Sequence, residues 1–356
     1  MAFLFRISKI LTMKIKQNKS LKAFNTFGLA AVAKYFTEIR SIEEFEELRA
    51  EKRFPEERKL ILGGGSNILL TGDFDGWVIK NMFPGIAVVS ETETEVIVTA
   101  GAGEVWHDLV MWCIKRGYAG FENLSLIPGL TGAAPIQNIG AYGVEAKDTF
   151  RELEAIEIHS GARVKFNEKD CVFGYRDSVF KHKLKDKFLI LSVSFRLIKL
   201  ASPQAIYHYR TEYGDVRRTL ETMNVPELSL RAVSDAICQI RRAKLPDPKE
   251  LGNAGSFFKN PAILQDLFKT LSEKYPKMPH YPQDDGTVKI PAGWLIEQCG
   301  WKGKTVGRAG VHKDQALVLV NYGGAAGREI LELSEAIRQS VRERFGIELF
   351  HEVNVV

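Results

Sequence analysis

Several familiar chemical signatures are missing from this sequence. Its four cysteines, Cys113, Cys171, Cys238 and Cys299, lie far apart and form no Cys-x-x-Cys. That argues against a zinc cluster and against a disulfide scaffold. Scattered thiols suit a reducing compartment, so the cytoplasm is the expected location. Among the seven histidines there is neither His-x-x-x-His nor His-x-His, and no metal-ligand set is indicated. No apolar run approaches the roughly 20 residues that cross a bilayer. No internal repeat or low-complexity tract is visible. The apolar N-terminus is interrupted by Arg6 and Lys9 and is followed by no small-residue cleavage site. Residues 1–13 therefore read as a ragged extension rather than a secretion signal. Strong charge of either sign is also lacking: 49 basic residues stand against 44 acidic, a formal net charge of +5. Such a mild excess is no polybasic footprint for nucleic acid and suits a small anionic ligand at least as well.

What is present is a chain of 356 residues, 45% of them hydrophobic. At roughly 100–200 residues per domain, that implies two or three packed domains. The block Ser41–Arg58 places Ile42, Phe45 and Leu48 at helical spacing, with its acids early, and predicts an amphipathic helix. Lys59 to Leu70 reads as apolar strand, glycine turn, apolar strand. Glu95–Thr99 predicts a strand, followed by a helix with Val105, Trp106, Leu109, Val110 and Cys113 turned inward. Further strands are expected at Leu153–Ile158 and Phe188–Leu197, and a helix at Ser229–Ala243 that ends near Pro246. The last long helix carries Ile330, Leu333, Ile337, Val341 and Phe345 on one face and stops at Gly346. The tail, Ile347–Val356, reads as a closing strand. The order is mixed α+β rather than a run of βαβ units.

Four segments could carry chemistry, and each has a plain structural alternative. Gly63-Gly64-Gly65-Ser66-Asn67 either closes a tight hairpin or forms a nest of backbone N–H groups for a phosphate. It is neither G-x-G-x-x-G nor a P-loop. Residues 123–145 are glycine-rich and nearly uncharged. They either form a buried Ω-like loop or wrap a neutral ring and a pyrophosphate through Ile127-Pro128-Gly129, Gly132 and Gln137-Asn138-Ile139-Gly140-Ala141-Tyr142-Gly143. Gly174-Tyr175-Arg176-Asp177-Ser178 is a surface turn with a salt bridge, or it presents a guanidinium to a carboxylate or phosphate. In Gly252-Asn253-Ala254-Gly255-Ser256-Phe257-Phe258-Lys259-Asn260, the serine is a cap or a proton donor to a strongly basic carbanion. It is not the serine of a Gly-x-Ser-x-Gly elbow. The basic run Arg241–Lys244 closes a helix, where cations meet the dipole, although Lys244 could also face an anion.

Taken together and in order, these segments resemble the UDP-N-acetylenolpyruvoylglucosamine reductase family. The resemblance includes Asn25-Thr26-Phe27-Gly28, Leu62–Asn67, Gly101–Trp106, Ile127–Gly129, Pro135–Gly143, Gly174–Ser178, Lys244–Pro248, Asn253–Pro261 and Ala292–Ile296, and runs from about Lys14 to the end. It implies a vanillyl-alcohol-oxidase/PCMH-type FAD-binding fold of two lobes with a smaller α+β substrate-binding domain. The expected division is 14–85 with the tail 347–356, then 86–243, then 244–346. It implies FAD, with NADPH as co-substrate and an enolpyruvyl sugar nucleotide as acceptor. Gly63 to Asn67, Pro128, Gly129, Gln137, Asn138, Gly140, Ala141, Tyr142 and Gly143 resemble the cofactor cradle. Arg176 resembles the family's catalytic arginine, Ser256 its proton donor and Glu352 its C-terminal catalytic glutamate. Tyr175, Lys244 and Asn260 match substrate-binding positions. Tyr213 matches the loop tyrosine of the longer, type I subclass, with Tyr207 and Tyr209 close by.

In that reading the cofactor performs the redox step while the protein orients the reactants and adjusts charge. Arg176 and Glu352 would stabilise negative charge beside the substrate carboxylate, and Ser256 would protonate the carbon. Glu352 serves either as a neutral acid or as the group that holds Arg176. No His or Cys is marked for attachment to flavin, so non-covalent FAD is expected. The expected partners are small molecules, without nucleic acid or membrane, and the chain is expected to act as a monomer. The rival readings are an FAD oxidase of alcohols or hydroxy acids and a non-enzymatic anion sensor.

Overall fold

The computed structural model describes residues 13–356; the extension proposed for residues 1–13 lies, but for Met13, outside them. The first lobe is a four-stranded sheet in the order Lys16–Ser20, Val32–Ile39, Phe74–Asn81, Arg58–Leu62. The outer Lys16–Ser20 strand runs antiparallel to its neighbour, and the other pairs are parallel. Between two of the strands lies the helix Ile42–Arg49. Ser41 caps it by accepting from the Glu44 N–H at 3.2 Å, and the helix buries Phe45 and Leu48. It stops well short of the expected Arg58, because Pro55 cannot continue a helix and Arg58 already opens the next strand.

The second lobe is an antiparallel sheet in the order Arg163–Asn167, Phe150–Glu157, Phe188–Lys199, Glu95–Gly101, Ile86–Glu91, with Tyr118–Ala119 beside the long strand. The helix Trp106–Ile114 packs beneath it through Trp106, Leu109, Val110 and Cys113. Val105 was expected inward, but it is the extended residue before the helix and is 45% exposed. Ile39, Trp77 and Ile79 of the first lobe join one continuous core with the second. Asn81 also ties the lobes by donating to the Ile190 carbonyl at 2.7 Å.

The remaining region has a sheet in the order Gly252–Ser256, Val318–Asn321, Ala309–Val311, Thr305–Val306. The helix Gly327–Phe345 covers it with the five apolar residues expected from its spacing, and Gly346 closes that helix at φ +66°. The helix Leu230–Lys244, capped by Ser229, lies apart from this region: its buried Val233, Ala236, Ile237 and Ile240 pack with Val216 and Leu220 of the helix Val216–Thr222, next to the Glu122–Leu124 segment of the second lobe. The architecture is the expected α+β arrangement. Among the described residues no helix is long and apolar enough to cross a membrane.

One connection positions the site. Arg58–Leu62 and Ile68–Leu69 do not pair with each other, so Gly63–Asn67 closes no hairpin. The first strand belongs to the lobe sheet, whereas Ile68–Leu69 pairs in parallel with Asn354–Val355. The glycines therefore carry the chain from the first lobe to the C-terminal tail. That tail is a strand only at Asn354–Val355, although an isolated bridge joins His351 to Phe258.

Candidate active site

A cavity of about 560 Å³ runs between the two lobes and the tail. Gly63 to Asn67, Pro128, Gly129 and Gln137 line it. The two glycine segments touch backbone to backbone: a Cβ on Gly64 would meet the Gly129 Cα at 2.8 Å. Gly65 sits at φ +66° against the Phe24 carbonyl, a position that requires glycine. Ser66 Oγ donates to the Pro128 carbonyl at 3.0 Å. Asn67 Nδ2 donates both to Gln137 Oε1 and to the Glu352 carbonyl, the latter at 3.3 Å. The cavity thus has neutral amides and side-chain-free backbone along its walls, with Arg58, Lys59 and Lys185 also in its lining. This donor set fits a dinucleotide with a neutral ring system and a pyrophosphate.

Asn138, Gly140, Ala141, Tyr142 and Gly143 fall outside that lining. Asn138 is fully buried and spends its amide on Glu145 Oε2 at 2.9 Å, the Gly174 carbonyl at 3.0 Å and the Lys147 N–H at 3.0 Å. Gly140–Ala141 and Val144–Glu145 form a hairpin whose central residues, Tyr142 and Gly143, are both left-handed, at φ +49° and +80°. This hairpin serves the neighbouring arginine. A Cβ on Gly140 would sit 2.8 Å from Arg176 Nη1, and the Gly140 carbonyl accepts from Arg176 Nη2.

Arg176 lies in the Gly174–Asp177 turn, closed by Gly174 N–H to Asp177 O at 3.1 Å and Asp177 N–H to Gly174 O at 3.2 Å. Its backbone is left-handed at φ +53°, which costs about 1–3 kcal/mol for a side-chain-bearing residue. The turn aims the guanidinium inward, where Nε donates to Glu352 Oε1 at 3.0 Å and Nη1 to the Asn138 carbonyl at 3.4 Å. Both side chains of that ion pair are mostly buried, at 18% and 16% exposure. Glu352 is brought in by the tail, its N–H donating to the Phe257 carbonyl at 2.8 Å. Burial pushes the Glu352 carboxyl above the ordinary carboxylate range, against the pull of Arg176, Lys181 and Lys259. Ser256 ends the strand Gly252–Ser256, immediately before the residue that anchors Glu352. Among the described residues its hydroxyl engages no hydrogen-bond partner.

The other expected residues divide into two groups. Tyr175 adjoins Arg176, with Lys289 Nζ 4.3 Å from its ring centroid, and its hydroxyl accepts from Asn260 Nδ2 at 3.4 Å. Asn260 is fixed by accepting from the Ala292 N–H at 2.9 Å. Lys244 instead forms an exposed ion pair with Asp215 at 2.6 Å, two residues past Tyr213. Tyr213 is 56% exposed and stands over Gly143. Of the two tyrosines that compete with it, Tyr207 is tied through its hydroxyl to buried Glu122, and Tyr209 stacks edge-on against Tyr207.

Two lysines of the site were not singled out from the sequence. Lys80 donates to the Gly63 carbonyl at 3.0 Å, and burial lowers its ammonium from the ordinary value. A lysine directly after the apolar run Trp77-Val78-Ile79 was its only signal. Lys181 lines the cavity, faces Glu352 and is likewise lowered by burial; it follows the Arg176 turn by five residues, a spacing without a known motif.

Comparison with known proteins adds an independent line. Residues 33–167 match the family model described as an FAD binding domain. Residues 247–356 match that of the UDP-N-acetylenolpyruvoylglucosamine reductase C-terminal domain. The chain is 49% identical over 344 residues to a UDP-N-acetylenolpyruvoylglucosamine reductase of Flavobacterium johnsoniae, covering 97% of this chain and 100% of that protein. It is 50% identical over 331 residues to the one of Burkholderia vietnamiensis, covering 92% and 93%. A crystal structure of the Thermus caldophilus UDP-N-acetylenolpyruvylglucosamine reductase superposes with a TM-score of 0.65 at 23% identity, covering 96% of this chain and 99% of that one.

Proposed function

The chain belongs to the UDP-N-acetylenolpyruvoylglucosamine reductase family, and from that premise we propose how its own residues perform the reaction. It is an FAD-dependent oxidoreductase of peptidoglycan synthesis that reduces UDP-N-acetylglucosamine enolpyruvate to UDP-N-acetylmuramate with NADPH. FAD, when bound, would supply the two-electron redox chemistry between NADPH and the enolpyruvyl double bond. Gly63 to Asn67, Pro128, Gly129 and Gln137 hold it without a covalent bond. Asn138, Gly140, Ala141, Tyr142 and Gly143 are assigned to shaping the wall behind Arg176.

Hydride addition leaves negative charge growing on the carbon that bears the carboxylate. Arg176 meets that charge as a cation already fixed in place by Glu352, the Gly140 carbonyl and the Asn138 carbonyl, so no reorganisation is needed at the moment of reaction. Glu352 acts in its charged form as the group that holds Arg176. Ser256 Oγ gives its proton to the same carbon, completing net addition of hydride and proton across the double bond. A serine hydroxyl is a weak acid, so this step depends on the basicity of the carbanion and on close placement. Tyr175 and Asn260 bind the substrate beside Arg176, while Tyr213 and Lys244 close over it from the exposed side. The chain works as a cytoplasmic monomer on small molecules, in keeping with its four free thiols.

The observation that supports these roles is the Arg176–Glu352 pair beside the glycine-lined cavity: His351 and Val353, on either side of Glu352, both line it. The test is the visible spectrum of the purified protein under anaerobic titration. Flavin absorbance that bleaches with NADPH and returns with UDP-N-acetylglucosamine enolpyruvate is expected, and acid precipitation should release the FAD. A colourless protein that takes up no added FAD would overturn the reading.

A further inference from the structure

The segment that carries Tyr213 owes its place to side chains rather than to backbone pairing. It leaves the strand Phe188–Lys199 and enters the helix Val216–Thr222. Among the described residues no backbone–backbone hydrogen bond involves residues 206–214. Tyr207, Tyr209 and Thr211 turn inward, and the residues between them are exposed. A strap without backbone pairing opens at low cost unless side chains hold it.

The anchors come from one turn of the second lobe, Glu122–Leu124. That turn is firmly seated: Phe121 and Leu124 lie in the core, and Trp106 Nε1 donates to the Leu124 carbonyl at 2.9 Å. Glu122 is buried. One of its carboxyl oxygens accepts from the Gly120 N–H at 3.0 Å and the other from the Tyr207 hydroxyl. Burial and Glu122 itself hold that phenol above its ordinary value, so it stays protonated and donates. Asn123 is buried as well, and its Nδ2 donates to the Arg210 carbonyl at 2.7 Å and to the Tyr142 carbonyl at 3.0 Å. Its Oδ1 is enclosed with no hydrogen-bond partner, so what the side chain offers is its two N–H groups. One amide therefore clips the strap to the Tyr142–Gly143 turn. Tyr213, three residues beyond Arg210, stands over that turn: a Cβ on Gly143 would lie 3.5 Å from the Tyr213 Cβ.

We propose that Glu122 and Asn123 are positioning residues for the sugar nucleotide, clipping the strap to the hairpin and so setting Tyr213 where substrate meets it. This rests on the reading that Tyr213 binds substrate. Both residues act through Tyr213 and not on the reacting atoms. Such a clip keeps the binding-competent arrangement populated. When it is cut, apparent affinity falls with the competent fraction, while the complex once formed reacts as before. Loss of either anchor weakens nucleotide binding on the order of 10-fold.

The test uses FAD-loaded protein carrying Tyr207→Phe, which removes only the hydroxyl, or Asn123→Ala, each alone and combined with Tyr213→Ala. Three quantities are measured: affinity for UDP-N-acetylglucosamine enolpyruvate, the rate of flavin reduction at saturating NADPH, and the rate of tryptic cleavage after Arg210, whose carbonyl Asn123 holds. Expected are affinity lowered about tenfold, an unchanged reduction rate, faster cleavage after Arg210, and little further loss of affinity once Tyr213 is gone. Unchanged affinity overturns the proposal. So does a loss of the same size in the Tyr213→Ala background, which places the effect elsewhere. A fall in FAD content or flavin reduction that matches the fall in affinity marks general damage and also defeats it. Should Asn123→Ala fail to fold, Tyr207→Phe decides by the same criteria. Normal affinity in Tyr213→Ala alone is a different failure: it removes the Tyr213 assignment and the proposal with it, while the cleavage rates still report whether the strap was held.

Discussion

Arg176 Nε donates to Glu352 Oε1 at 3.0 Å across 176 positions of sequence. Neither partner reaches that geometry by local preference. Arg176 is held left-handed in its turn, and Glu352 is drawn in by backbone bonds to Phe257 and Asn67. The pair therefore closes only when the second lobe, the glycine loop and the C-terminal tail are all in place. A cation so fixed is suited to meeting charge that appears only in the transition state.

Replacing Arg176 with lysine keeps the charge and loses the fork. One ammonium cannot serve Glu352, the Gly140 carbonyl and the Asn138 carbonyl from the same position. We expect Arg176→Lys to retain FAD and fold while turnover of the enolpyruvyl nucleotide falls on the order of 10²–10³. Steady-state rates with FAD content as a control check this; near-normal kcat would remove Arg176 from the assigned role.

The pH dependence follows from the burial of Glu352. Its carboxyl is displaced upward, burial outweighing Arg176, Lys181 and Lys259. A raised acid takes up its proton at a higher pH than a free glutamate, whose ordinary value is about 4.3. Since the charged form holds Arg176, kcat should fall on acidification along a limb lying above that value. Glu352→Gln should be slow at every pH and show no such limb. A limb that survives in Glu352→Gln belongs to another group.

Much of this was readable from residue order. The caps at Ser41 and Ser229, the apolar stripe of Gly327–Phe345 and its stop at Gly346 are local decisions, and local spacing reveals them. The glycine segments were legible as unusual, yet not their pairing. Strand, glycines, strand reads as a hairpin whenever the partner of Ile68–Leu69 is unknown, and that partner lies at the far end of the chain. The surroundings of a glycine are equally non-local: Gly140 and Gly143 resemble cradle glycines, and in the structure the first leaves room for Arg176 while the second completes a hairpin turn.

The contact between Gly64 and Gly129 gives a prediction about cofactor binding alone. A methyl at Gly64 would stand 2.8 Å from the Gly129 Cα, so backbone rather than a flexible side chain must move. Overpacking of this kind costs about 1–3 kcal/mol, and it falls on the wall of the cavity. Gly64→Ala should purify with reduced flavin and bind added FAD about 10- to 100-fold more weakly. The ratio of flavin to protein absorbance and a fluorescence titration measure it; full FAD content at wild-type affinity would show that the two segments need not touch.

Ser256 offers the sharpest separation of roles. It stands at the end of its strand with its hydroxyl uncommitted among the described residues, directly before the Phe257 carbonyl that anchors Glu352. Loss of the hydroxyl breaks no hydrogen bond among the described residues, so Ser256→Ala should fold, bind FAD and keep Glu352 in place. If the hydroxyl supplies the proton that completes the addition, reduction of the enzyme by NADPH remains nearly intact while reoxidation by the enolpyruvyl nucleotide is crippled. Stopped-flow measurement of the two half-reactions separates these outcomes. Equal slowing of both would place Ser256 in general positioning, and unimpaired reoxidation would mean that the proton comes from elsewhere. Partial rescue by Ser256→Cys, which restores an ionisable proton at the same point, would tie the defect to proton delivery rather than to packing.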